Sequence, residues 1–149
     1  MADRVFASIE LGGVLTAAQL DELTQLVNDE CLSTEWDGEP FDPSQLTPGE
    51  PLQLHAHEVA WGMFEELETW CRAHHVPYIR WSGGYGCEWG AERVVFDGAD
   101  EPRSYDADEN DRVFVDRATV ERLGSVEAIL AHFDAAEFAL PPLAITSEP

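Results

Sequence analysis

The sequence predicts an α+β fold: a single domain whose antiparallel sheet of about four strands is covered by helices on one face. Three observations predict it. Residues 5–11 alternate apolar and polar side chains, two later segments repeat apolar residues at helical spacing, and three further strand patterns follow between turn-forming loops. The resulting order is β-α-(β)-α-β-β-β-α-α. A chain of 149 residues fits one domain. It is expected to span 1–140, with a loose tail over 141–149 after Pro141-Pro142.

The first strand places Val5, Ala7, Ile9 and Leu11 on one side, and Gly12-Gly13 closes it. The first helix then starts with complete capping chemistry. Thr16 stands at the N-cap, Gln19 completes a capping box, and Leu15 can staple to Leu20. Leu20, Leu23, Val27 and Cys31 form its apolar stripe. Residues 32–51 follow as an irregular segment with four prolines, and a loop of such length usually carries function or mobility. Leu52–His57 adds a short strand.

A second helix is expected from about Glu58 to His75, stopped by Pro77. Ala60, Met63, Phe64, Leu67, Trp70, Cys71 and His74 fall on one side of it, and Glu58, Trp61, Glu65, Glu68 and Arg72 on the other. Strand patterns follow at Tyr78–Ser82, Glu92–Asp97 and Arg112–Asp116. An aromatic, glycine-rich loop, 83–90, joins the first pair. An acidic loop holding Asp100, Glu101, Asp106, Asp108, Glu109 and Asp111 joins the second. Asp116 caps one short helix ending at Gly124, and Ser125 caps another with Ile129, Leu130 and Phe133 inward.

Charge is the strongest functional signal. The formal net charge is -22, from 30 acidic residues against eight arginines and no lysine. Between Arg4 and Arg72 there are fourteen carboxylates and no cation. Self-repulsion on this scale costs stability. Such a surface is repelled by nucleic acid and by anionic membrane, so direct binding to either is excluded. No basic leader with an apolar core opens the chain, and no apolar run reaches the ~20 residues of a membrane span.

Cys31, Cys71 and Cys87 are odd in number and lack CxxC spacing, which argues against a disulfide framework and for a reducing cytoplasm. Cys31 and Cys71 are expected as buried thiols on helix faces.

Three constellations carry candidate chemistry. His55 and His57, at i and i+2, share one face of a strand and are weak metal candidates, lacking a fixed third ligand. The 83–90 loop resembles a phosphate cradle in its glycines but joins two strands and has Glu88 as its nearest charge, so a hairpin connection with packed aromatics is expected. Ser82 and Cys87 lie in no nucleophile-elbow pattern. No enzyme activity, cofactor or metal is expected. Trp81, Tyr85 and Trp89 offer more aromatic area than a hairpin needs, and Trp and Tyr are enriched at interface hot spots.

The acidity itself has three readings: adaptation to high salt, a merely solvated face, or a surface that meets a basic groove. Duplex DNA carries about one negative charge per 1.7 Å of axis, a density that a domain with tens of carboxylates can match. In size, acidity and α+β pattern the chain resembles the small DNA-mimic proteins with which phages and plasmids oppose host defences, the anti-restriction and anti-CRISPR inhibitors. General character, not a residue motif, carries that resemblance. It implies a cytoplasmic inhibitor whose partner is a basic nucleic-acid-binding protein or ribonucleoprotein. The expected contact residues are Glu58, Trp61, Glu65 and Glu68, then Asp106, Asp108, Glu109 and Asp111. The alternatives are an interaction module or antitoxin holding a basic partner, and a small enzyme with a histidine-bound metal.

Overall fold

The alternation read over 5–11 is realised: Val5, Ala7, Ile9 and Leu11 are all buried on one face of the first strand. In the computed structural model, which describes residues 4–36, 38–85 and 89–146, the chain order is as follows. It runs β1 (Arg4–Leu11), β2 (Gly13–Thr16), α1 (Ala17–Asp29), β3 (Leu52–Ala60), α2 (Glu65–Ala73), β4 (Tyr78–Ser82), β5 (Glu92–Phe96), β6 (Arg103–Asp106), α3 (Arg117–Leu123), α4 (Val126–Ala136) and β7 (Leu143–Thr146). Five strands form one sheet in the order β3-β1-β4-β5-β6, every pair antiparallel. The α+β class holds, with five strands where about four were expected and with helices on both faces of the sheet instead of one, since α4 packs opposite α1 and α2.

The first face of the sheet carries the main core. Ile9, Leu11, Leu54, Tyr78 and Phe96 meet Leu23 and Val27 of α1 and Leu67 and Cys71 of α2. Thr16 caps α1 as its sequence predicts. Its Oγ1 accepts from the Gln19 N–H at 3.1 Å, and the Gln19 side chain accepts from the Thr16 N–H at 2.9 Å. Such a cap stabilises by about 1 kcal/mol. The second face is covered where β4, β5 and β6 run. Ile79, Val95 and Tyr105 point there and pack on Ala135 and Ala136 of α4 and on Phe138 and Leu140 beyond it.

Five expectations are corrected, one being that Leu130 of α4, expected inward, is 57% exposed. The second helix begins at Glu65, because Glu58–Ala60 extend β3 and residues 61–64 turn. Gly62, at φ 67°, interrupts the helical pattern there. The strand beside β5 is Arg103–Asp106, inside the acidic loop; of Arg112–Asp116 only Val113 bridges, to Ala107. Residues 143–146 are not tail but β7, paired parallel with β2. Gly12 makes that pairing possible, since a Cβ there would lie 2.2 Å from the Pro141 carbonyl oxygen. Cys31 is exposed at φ 58°, one residue beyond the C-cap of α1, while Cys71 is buried and its thiol is pushed up by burial. Cys87 lies outside the described residues.

The 32–51 segment is fastened rather than free. Leu32 and Phe41 are buried, Ser33 bridges His55, and Asp42 caps a 3-10 turn over Pro43–Gln45.

Candidate functional site

The site is built on the turn that interrupts the expected helix. Strand β3 holds one more residue than β1 between the pairs Val5–Val59 and Ala7–Ala56. The resulting bulge leaves Glu58 at φ 53°. Trp61 at φ 57° and Gly62 at φ 67° then reverse the chain. A non-glycine residue in that region costs about 1 kcal/mol or more. What compensates is Arg80, a buried arginine of β4. Its Nη1 donates to the Gly62 carbonyl at 2.8 Å and to Ser82 Oγ at 3.2 Å, and its Nε donates to Glu68 Oε1 at 2.9 Å. The other Glu68 oxygen accepts from the Phe64 N–H at 2.7 Å, serving a helix start that has no side-chain cap of its own.

That frame presents Trp61 to solvent with 52% of its surface exposed. Trp61 meets Trp89 at a ring-centroid distance of 6.0 Å, and Trp89 stacks on Tyr85 at 5.0 Å. The three rings form a ridge with a cavity at each end. One, a groove of about 410 Å³, is lined by Trp61, Trp89 and Phe114 with Glu92 and Asp106. The other, of about 230 Å³, is lined by Tyr85, Phe6, Arg4, Glu58 and Glu109. Residues read from two separate acidic segments are thus brought together around the aromatic loop.

The structure places the remaining expected contact residues differently. Glu65 is exposed in the first turn of α2, outside both cavities. Glu68 cannot be a contact residue: it is only 5% exposed and faces Arg80, because it stands one turn after Phe64 and one turn before Cys71, both buried, on the side of α2 that packs on the sheet. Asp108 accepts from Arg112 Nε at 2.8 Å and from two backbone N–H groups, and those bonds, the Arg112 N–H first, hold its carboxyl below the usual range. Asp111 pairs with Arg93 Nη1 at 2.7 Å, and burial raises its carboxyl. Both fasten the acidic loop. Glu109 Oε1 accepts from the Gly84 N–H at 2.9 Å, tying that loop to the aromatic one.

His55 and His57 do share one face of β3. The Trp36 ring lies 4.6 Å from His55 and 5.1 Å from His57, and Phe6 meets His57 edge-on at 4.8 Å. Burial lowers the His55 pKa. Among the described residues no group of three or more His, Cys, Asp or Glu is arranged to hold a metal ion. No described helix is long and apolar enough to cross a membrane.

Sequence reasoning missed Arg80, Glu92 and Phe114. Gly62 within the helical pattern was the available signal for the turn. Phe114 flanked by Val113 and Val115 was the signal for an outward aromatic.

The acidic field also reaches inside. Glu30, at the C-cap of α1, faces the start of α2 with its Oε2 buried and without a hydrogen-bond partner among the described residues. Its carboxyl is pushed up from 4.5 to about 7, chiefly by burial and then by the Glu66 charge, with Glu68 adding to it and the backbone N–H groups of Glu66 and Leu67 pulling it partly back. The folded state therefore holds this proton more tightly than the unfolded chain does. Its contribution is fully present below the unfolded value and is lost as pH rises through about 7. Discounted for its exposed half, Glu30→Gln should stabilise by about 1–2 kcal/mol at about pH 8 and change little at about pH 4. Urea unfolding of both proteins across that range reads the difference; parallel curves would contradict it.

Comparison of the chain with family models, curated proteins and solved structures gives no match.

Proposed function

We propose that this protein is an acidic inhibitor that acts in the cytoplasm by occupying the basic nucleic-acid-binding channel of a host defence complex. The observation that carries the reading is the division of charge. Of eight arginines, Arg80, Arg93, Arg112 and Arg117 are held in ion pairs with the protein's own carboxylates. Arg80 and Arg93 are used inside the fold, and Arg112 and Arg117 each offset one carboxylate at the surface, so eight arginines against 30 acids leave the exterior strongly anionic. An uncompensated anion of this size is drawn to a channel that evolved to receive phosphates, and complementary fields raise association rates. The exposed ridge of Trp61, Trp89 and Tyr85 adds apolar anchorage that polyanion mimicry alone lacks.

That ridge also favours a second reading, an interaction module or antitoxin that holds a basic partner without competing with nucleic acid. One experiment separates the two. A labelled duplex is bound to restriction endonucleases and to CRISPR surveillance complexes, and its displacement by this protein is followed by fluorescence anisotropy. Inhibition by mimicry should displace the duplex and weaken tenfold or more between about 50 and about 200 mM salt. Glu58→Arg with Glu65→Arg should slow association. Binding to such a complex without displacement favours the module, and binding to none of them removes the inhibitor.

A further inference from the structure

We propose that the groove between Trp61, Trp89 and Phe114 is a receptor for a guanidinium group, an arginine side chain presented by the partner protein. This rests on the reading of the protein as a ligand of a cationic partner, and it specifies where one cation is taken and by which chemistry.

The walls supply the first half of the argument. Trp61 is 52% exposed and Phe114 50% exposed, and both line the groove, so aromatic surface is accessible there. Tryptophan offers the strongest ring face for a cation. The backbone passes through the left-handed region at Trp61, φ 57°, where the chain turns beside the groove.

The floor supplies the second half. Asp106 extends from β6 as an exposed carboxylate whose side chain has no hydrogen-bond or ion-pair partner among the described residues. Glu92 stands on the same face of the neighbouring strand, opposite Asp106 in register. It is oriented by Ser104 Oγ at 2.5 Å and by Arg80 Nη2 at 3.5 Å. Around the groove, the carboxylates of Glu68, Glu92 and Asp106 face one cation, Arg80, which leaves two negative charges in excess.

Among cations, guanidinium fits this geometry best. It is planar and weakly hydrated, so it stacks on an indole face while its edge donates to carboxylates. An ammonium keeps its water more tightly, and a phosphate or a carboxylate ligand is repelled by Asp106 and Glu92.

The test uses the intact protein and a minimal probe, the blocked tripeptide acetyl-Gly-Arg-Gly-amide, followed through the indole N–H resonances of the tryptophans. The citrulline peptide keeps the shape and removes the charge. Saturable shifts are expected at Trp61 and Trp89, with the arginine peptide half-saturating at a concentration at least about tenfold below citrulline. Trp61→Ala and Asp106→Asn should each weaken the arginine peptide by about fivefold or more, at unchanged thermal midpoint. Equal binding of citrulline, shifts spread evenly to Trp36 and Trp70, or variants that bind like the parent would overturn the proposal. Polyarginine distinguishes this failure from failure of the underlying reading. If it binds the parent and Trp61→Ala alike, with the same salt dependence, the groove is wrong and the acidic surface stands. If neither probe binds, both fall.

Discussion

Glu68→Ala is expected to remove about 3–5 kcal/mol of stability, because it leaves the Arg80 guanidinium buried without its main counter-charge. Arg80 is 4% exposed and Glu68 5%, so water cannot take over the lost partner. Among the described residues Glu92 is the only other carboxylate in reach, at 3.5 Å, and its side chain is 42% exposed. Against a total stability of about 5–15 kcal/mol, this loss brings a marginal domain close to unfolding. Removing both charges is a different matter. Replacing a buried pair by apolar side chains of similar size is often neutral. Here Glu68→Leu with Arg80→Met should recover only part of the loss. The Gly62 carbonyl and the Phe64 N–H, which Arg80 and Glu68 satisfy at 2.8 and 2.7 Å, would remain unpaired. Urea unfolding midpoints of the single and double variants read this directly. A double variant as stable as the parent would show that the pair does not hold the turn.

The same pair explains why an acidic helix face is an unsafe guide to a binding surface. Glu65 and Glu68 lie three residues apart, and the expected helix from Glu58 placed both outward. Glu68 lies one turn from the buried Phe64 and Cys71, so it borders the packed side of α2, faces the sheet and becomes the acid that fastens α2 to β4. A charge-reversal experiment aimed at contact would, at Glu68, report folding instead. Glu58 and Glu65 are exposed and can be reversed without that confusion.

What was legible in the chain was whatever short-range chemistry decides. The period of two over 5–11 and the Thr16–Gln19 box need no distant partner, and both are realised. The α2 start was not legible, because Ala60, Met63, Phe64 and Leu67 keep helical spacing while a bulge in β3 and the Arg80 bond to Gly62 hold the preceding residues extended and turned. Strand β6 is four residues long and rich in polar groups, so its place beside β5 comes from pairing and from burial of Tyr105, neither of which has a local signature. The β2–β7 pairing joins residues more than a hundred positions apart, and only the lack of a side chain at Gly12 hints at it. The site followed the same division. Trp61 and Asp106 were visible as an aromatic and an acid worth attention, whereas their meeting across Trp89 is a product of topology.

Gly62→Ala should be the most damaging single-methyl change near the groove. A Cβ there would stand 2.6 Å from Ser82 Cβ, 3.0 Å from Ser82 Oγ and 3.2 Å from Val5 Cγ2. Ser82 Cβ is fixed by its strand and cannot swing aside, and φ at this position is 67°. Overpacking and the left-handed strain together predict a loss of about 2–4 kcal/mol. The two causes separate in a cycle with Ser82→Gly, which removes the two nearest obstructing atoms and leaves the Val5 methyl as the nearest, at 3.2 Å. Ser82→Gly alone should cost about 1 kcal/mol, through a weakened strand and the lost bond to Arg80. The double variant should then be more stable than the sum of the two losses predicts, by a coupling of about 1–3 kcal/mol, with the strain of φ left behind. The Trp61 indole resonance should move in Gly62→Ala and return toward its parent position in the double variant. Strictly additive losses would mean that the turn yields elsewhere, and that contact between Gly62 and Ser82 does not determine where Trp61 stands.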